Sequence, residues 1–350
     1  MPNSSRLHPY RSTEEMPYHH KPFISKSKFF YLRQRILYIA MLLLASAGFS
    51  ILEAYTTVPP NNGSLVDESV LGPTPQPKSE DIVHGFINLE FSDHHLTPRG
   101  LNLNNKGVIF QPLLRLDWTL YKPAPEPNQA INEVTMTTAM WNEVDSHRVG
   151  HNPGNWSEID ATIGPNVKFL KDWTFESPFT AYVSETDTFW TCWAWDPKLT
   201  YHDHFIKNFS INPYVEFFDE LQNEVTAVFV RSKAESSYYG VLGMDPTYTF
   251  QDIPLKLELP SYFTVPGNNF YQRRDGSGGG TDIGLASTMF KATVPLDFMS
   301  SSYGKWSFYA GVQYDYLNNP GLLDGNEFKG AAKSRERSIV AFHAGITFRF

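Results

Sequence analysis

Val340-Ala341-Phe342-His343-Ala344-Gly345-Ile346-Thr347-Phe348-Arg349-Phe350 closes the chain. Its even positions, Val340, Phe342, Ala344, Ile346, Phe348 and Phe350, are apolar, and its odd positions, Ala341, His343, Gly345, Thr347 and Arg349, are small or polar. Successive side chains of a strand point to opposite faces, so the alternation predicts one greasy face and one that can meet water. A soluble sheet can show that pattern too. What sets this stretch apart is the bulk of the apolar side chains on the last residues, where soluble chains normally fray into polar ones. A strand with lipid on one side and a lumen on the other requires the pattern.

Composition agrees. The chain carries a formal charge of −8 and 15% aromatics, and its mean hydropathy is −0.34. Each span of a helical membrane protein needs about 20 consecutive apolar residues, which would raise that mean far higher. A barrel hides its hydrophobicity in alternation. The 25 prolines and 23 glycines suit many turns and few long helices. The 29 basic residues form no patch and are outnumbered by 37 acidic ones, so nucleic acid is not an expected partner.

One stretch is apolar enough to enter a membrane as a helix, Ile36 to Leu52. It follows Lys26, Lys28, Arg33 and Arg35 and contains Ala45-Ser46-Ala47. Basic region, apolar core and small-residue exit describe a secretory signal peptide over residues 1–47, with cleavage expected after Ala47 and a second site after Ala54. An uncleaved anchor is the alternative. The single Cys192 fits export, since no disulfide can form within the chain. Residues 48–80 read as a Pro-rich linker and 81–350 as one domain.

That domain repeats the terminal pattern. Phe110, Leu114, Leu116, Trp118 and Leu120 alternate with Gln111, Arg115, Asp117 and Thr119. Ile159, Ala161, Ile163, Val167 and Phe169 alternate with Glu158, Asp160, Thr162 and Lys168. Thirteen such segments can be read: 83–91, 108–121, 133–141, 156–169, 173–184, 189–201, 208–218, 225–231, 238–250, 255–263, 282–297, 306–316 and 339–350. A closed bacterial barrel has an even number, with its long loops on one side. Absorbing the weakly patterned 225–231 into an excursion over 219–237 puts the loops 92–107, 142–155, 219–237, 264–281 and 317–338 on the same side. The expected fold is therefore all-β: a transmembrane antiparallel up-and-down β-barrel of 12 strands, closed by the C-terminal strand.

The terminal segment resembles the closing strand of bacterial outer-membrane barrels, which commonly finish on an aromatic residue. The resemblance implies that Phe350 is an insertion signal for the barrel assembly machinery, with outer-membrane lipid around the strands. Trp156 to Gly164, followed by Thr174 to Tyr182, also resembles uncharacterised TorF-like porins, although Ala161 and Thr162 stand where those strands often carry tyrosine. Aromatics at strand ends, Trp118, Tyr121, Trp141, Trp156, Trp173, Trp190, Tyr201, Phe217, Phe218, Tyr248, Phe250, Trp306, Tyr316 and Phe348, are expected to form two interfacial girdles. A soluble β-sandwich with an aromatic core is the bland alternative.

Function should then live on the lumen face. Period two places the acids Glu90, Asp117, Glu158, Asp160, Asp196, Glu216, Asp245, Glu258 and Asp315 there. With them fall the bases Arg115, Lys168, Lys198, Lys256 and Arg349, and also His343. Acids outnumber bases, so the expected function is passive or weakly cation-selective diffusion of small solutes or ions. A structural or adhesive barrel is the alternative, since inward ion-pair ladders also hold small barrels together. A lipid-modifying enzyme using a Ser/His pair is a further one, but no Gly-x-Ser-x-Gly motif appears. His202-Asp203-His204 reads as a solvated turn rather than a metal site, and Asp275 to Gly280 lacks the Gly-Lys-Ser/Thr ending of a phosphate loop. No cofactor is expected.

Overall fold

The computed structural model describes residues 82–124, 129–150, 152–222, 237–299, 302, 304–328 and 330–350. The expected signal peptide, linker and weak segment 225–231 lie outside these residues. Twelve antiparallel strands form the wall: β1 (Val83–Ser92), β2 (Ile109–Tyr121), β3 (Ile131–Val149), β4 (Gly154–Phe169), β5 (Trp173–Glu176 and Phe179–Ser184) and β6 (Cys192–Trp195 and Lys198–Tyr201). There follow β7 (Phe209–Ser210 and Pro213–Gln222), β8 (Ser237–Met244 and Thr247–Thr249), β9 (Lys256–Glu258 and Ser261–Pro266), β10 (Leu285–Pro295), β11 (Lys305–Leu317) and β12 (Ser338–Arg349). Each strand pairs with its neighbours in the chain. β12 returns to β1 from Phe86↔Arg349 to Ser92↔His343, which closes the barrel. Gly85 and Phe350 extend that seam, exchanging backbone hydrogen bonds of 2.9 and 3.1 Å.

The period-two reading holds around the wall. On β12, Phe342 is 57% exposed on the outside while Ala341 is fully buried. Phe290, Phe308, Val312, Leu242, Val215 and Ile163 are likewise exposed on outer faces. Aromatic rings run across strands on this surface in two rows. One links Phe169, Trp173, Tyr201 and Phe205, and the other links Phe179, Trp195, Phe217 and Tyr238. Six residues of β5 separate Trp173 from Phe179, about 20 Å at strand rise. Two expected girdle members depart from this arrangement. Trp141 packs on His95, and Phe218 is buried against Tyr239 and Phe270, so both belong to the interior face.

Five consecutive strands, β5 to β9, are each interrupted at a proline: Pro178, Pro197, Pro213, Pro246 and Pro260. Proline has no N–H to give a ladder, so segments read from sequence as continuous break there. The carbonyls of Pro178, Pro197, Pro246 and Pro260 still accept backbone N–H groups of Asp196, Phe217, Leu259 and Met289 at 2.8–3.0 Å. The breaks therefore do not open the sheet.

The connections differ most from expectation. Residues 142–155 are not a loop. β3 and β4 run on as a long hairpin to the pair Val149↔Gly154. The segment 92–107 does not stay outside either. It carries a small hairpin, His95–Leu96 with Asn102–Asn104, and buries Leu101. Phe270 and Tyr271 from 264–281 are buried, as are Leu322 and Leu323 of helix α1 (Pro320–Phe328) within 317–338. Asn319 caps α1, its side-chain oxygen accepting from the Gly321 and Leu322 N–H groups, with Pro320 in the first turn. The three connections meet wall residues Ala194, Phe218, Tyr239, Val241, Leu285, Leu317 and Ile339 in one apolar cluster. The barrel is thus filled at this end by its own loops.

Candidate functional site: the barrel interior

At the end that carries Phe350 the inner wall is charged. Arg115 Nε lies 3.1 Å from Asp117 and its Nη2 3.3 Å from Glu176, and both groups also bond Thr137. Lys168 pairs with Glu133 at 2.7 Å. Lys256 and Lys291 flank Glu258 at 3.1 and 3.0 Å. Lys198 stands opposite Glu216 in register, with its ammonium 3.7 Å from the centre of the Tyr214 ring. Arg349 lies over the Phe86 ring at 5.3 Å. Strand alternation brings these residues to one face because each sits at an odd or even position shared with its strand's buried members.

Higher up, Glu90 on β1 bonds His343 Nδ1 at 2.9 Å and accepts the Tyr309 hydroxyl. Asn88 joins Tyr309 to Thr347. Asp315 is wholly buried, holding Gln313 at 3.0 Å. Glu90–His343 supplies the base and orienter of a nucleophilic site, but the buried His343 Nε2 has no hydrogen-bond partner, so no hydroxyl is poised on it. Among the buried carboxylates, Asp160 Oδ1, Asp196 Oδ1 and Asp315 Oδ2 have no hydrogen-bond partner either.

The loops add further deeply buried charges. Arg99, in the turn between the inserted hairpin strands, reaches Glu220 on β7 at 3.0 Å, with both side chains all but inaccessible. Its guanidinium also stacks 4.8 Å from the Tyr182 ring centre and 5.4 Å from that of Phe218. Burial opposes its charge, but the Glu220 carboxylate outweighs burial and raises its pKa further. Tyr271 donates to the Arg99 carbonyl at 2.6 Å, and Asn326 of α1 brackets the hairpin, bonding Gly100 O and Asn102 N at 2.9 Å each. His95 Nδ1 lies 2.5 Å from Glu143. Burial works to lower the His95 pKa, yet the Glu143 carboxylate, with Glu158 and Asp145 behind it, raises it to about 9.

The sequence-derived positions do not form one ring, and Asp245 falls in the break between the two segments of β8. Arg115, Asp117, Lys168, Lys198, Glu216, Lys256, Glu258 and Arg349 gather toward the Phe350 end. Glu158 is buried near His95, and Asp196, Asp315 and His343 occupy middle levels. Sequence reasoning missed Glu133, Glu176 and Lys291, which the same alternation would have supplied. It also missed His95, Arg99 and Glu220 as interior residues, because a loop folded inward carries no period. His202 and His204 do not converge: His202 bonds Thr174, its pKa lowered by burial and by Lys168 and His204, while the exposed His204 lies 3.6 Å from Asp172. Asp203 instead accepts the Ile211 and Asn212 N–H groups.

No family model matches the chain, so the resemblance to TorF-like porins gains nothing from that comparison. No curated protein matches it. Among solved structures, the NanC porin is similar over 76% of this chain and 100% of its own, at 9% identity and a TM-score of 0.40. An outer membrane channel from Pseudomonas putida F1 is similar over 79% and 100%, at 12% and 0.44. The KdgM porin is similar over 76% and 99%, at 10% and 0.36.

Proposed function

We propose that this protein is an outer-membrane, porin-like barrel that passes small solutes and ions through a charged bore, narrowed at one mouth by its folded-in loops. One observation carries the reading: the wall is inside out. Strands such as β10 and β12 turn Phe290, Val340 and Phe342 outward while their opposite faces carry Lys291, His343 and Arg349. A soluble barrel puts its large apolar side chains inside, and a continuous apolar outer surface of this extent marks a membrane. Inward acids outnumber inward bases along the strands, which favours cations over anions.

The apolar plug supports a second reading, a structural barrel without transport. Catalysis is disfavoured because the Glu90–His343 pair lacks a nucleophile. Purified protein in planar bilayers should give discrete, low-conductance steps with modest cation preference. Absence of steps under all conditions would favour the structural reading.

A further inference from the structure

The wall and the inserted hairpin meet at a cluster that the pore reading does not use. His95, Glu143 and Glu158 are all buried, and each offers one ligand atom within 4.8 Å of the others. Glu143 on β3 and Glu158 on β4 are direct cross-strand partners. Like charges placed opposite one another on a sheet destabilise it, so two inward glutamates in register need a reason. Charge bookkeeping sharpens the point. Asp145 is 2% exposed with Oδ2 unbonded, and Asp160, the next inward residue after Glu158, has Oδ1 unbonded. Three carboxylates, Glu143, Glu158 and Asp145, therefore gather around one imidazole, because the nearby Arg99 is committed to Glu220. Buried charges are paired or coordinate metals.

We propose that His95, Glu143 and Glu158 form a divalent-cation site that fastens the inserted hairpin to the barrel wall. One imidazole nitrogen with two carboxylates is the ligand chemistry of a first-row ion such as Zn²⁺. Ligand atoms of a tetrahedral ion with bonds of about 2.1 Å stand about 3.4 Å apart, so the 2.5 Å contact of His95 with Glu143 must open and the wider spacings, up to 4.8 Å, must draw in for the site to close on one ion. Two ligands come from the β3–β4 ladder, Glu143 just before a register shift, and the third from the hairpin. Asp145 and Asp160 remain to orient the ligands or to complete the shell.

The test uses the full protein in detergent, stripped with a chelator and titrated with ZnCl₂ by calorimetry, with thermal unfolding followed in parallel. One Zn²⁺ per chain and a higher Tm are expected. His95→Gln and Glu158→Gln, checked for the heat-modifiable mobility of a folded barrel, should each weaken Zn²⁺ binding more than about 100-fold, beyond the loss expected for a supporting residue. His204→Gln, at the exposed turn, should bind as the parent does. No stoichiometric uptake by the parent protein overturns the proposal. So does uptake that survives both ligand substitutions. Should either variant fail to fold, the other and the parent titration still decide.

Discussion

Arg99 and Glu220 stand 3.0 Å apart although 121 residues separate them, and they tie the first inserted hairpin to β7 on the far side of the wall. Cutting one partner out of a buried pair leaves an uncompensated charge and costs about 3–5 kcal/mol. Arg99→Met should therefore unfold at a lower denaturant concentration than the parent. Removing both charges, Arg99→Met with Glu220→Leu, should recover most of the loss. Chemical unfolding of the two variants and the parent checks this.

Gly100 follows Arg99 at φ +91, and a Cβ there would fall 2.9 Å from Leu322 Cδ2 of α1. An alanine in that conformation is strained by about 1–3 kcal/mol, and the leucine must also move. Gly100→Ala should loosen the contact between hairpin and helix while the strands stay paired. Hydrogen exchange should then speed up at Leu101 and Leu322 with little change along β11 and β12.

Glu258 serves two lysines at once, Lys256 and Lys291. Glu258→Gln would leave two cations facing the bore with no carboxylate between them. Reversal potentials measured across a salt gradient should move toward anion preference. An unmoved potential would place this trio off the path of the ions.

Phe350 continues the seam through its bonds to Gly85, and its ring stacks 5.6 Å from Phe348, itself 4.4 Å from Trp306. Deleting Phe350 removes the last rung of closure and the expected insertion signal together. Assembled, heat-modifiable barrel in membranes should drop severalfold. Restoration by tyrosine but not by aspartate would tie the effect to the aromatic ring.

The wall was legible in the sequence because a strand with one apolar and one polar face writes its geometry into every second residue, as Phe342 and His343 do. The placing of long connections on one side leads to the count of twelve, although 142–155, one of those connections, is a continuation of the β3–β4 hairpin. Pro178, Pro197, Pro246 and Pro260 were visible too, and their missing N–H groups predict the breaks that alternation alone passed over. The plug was not legible. Arg99 reads as an ordinary loop cation until Glu220 is found beside it, and Glu220 itself looked like the start of a loop. Trp141 reads as an interfacial aromatic because nothing in its own segment announces His95. Contacts between residues far apart in the chain leave no local pattern, and the site's deepest charges depend on them.

The central claim is a charged bore closed down by inserted loops, and replacing residues 95–104 with a flexible Gly-Ser segment addresses it most directly. That change removes His95 and Arg99 together while leaving the twelve strands in place. Single-channel recording should show conductance several times that of the parent protein, still cation-preferring because the inward acids of the strands still outnumber the bases. A variant that folds as a barrel yet conducts no better than the parent would contradict the account.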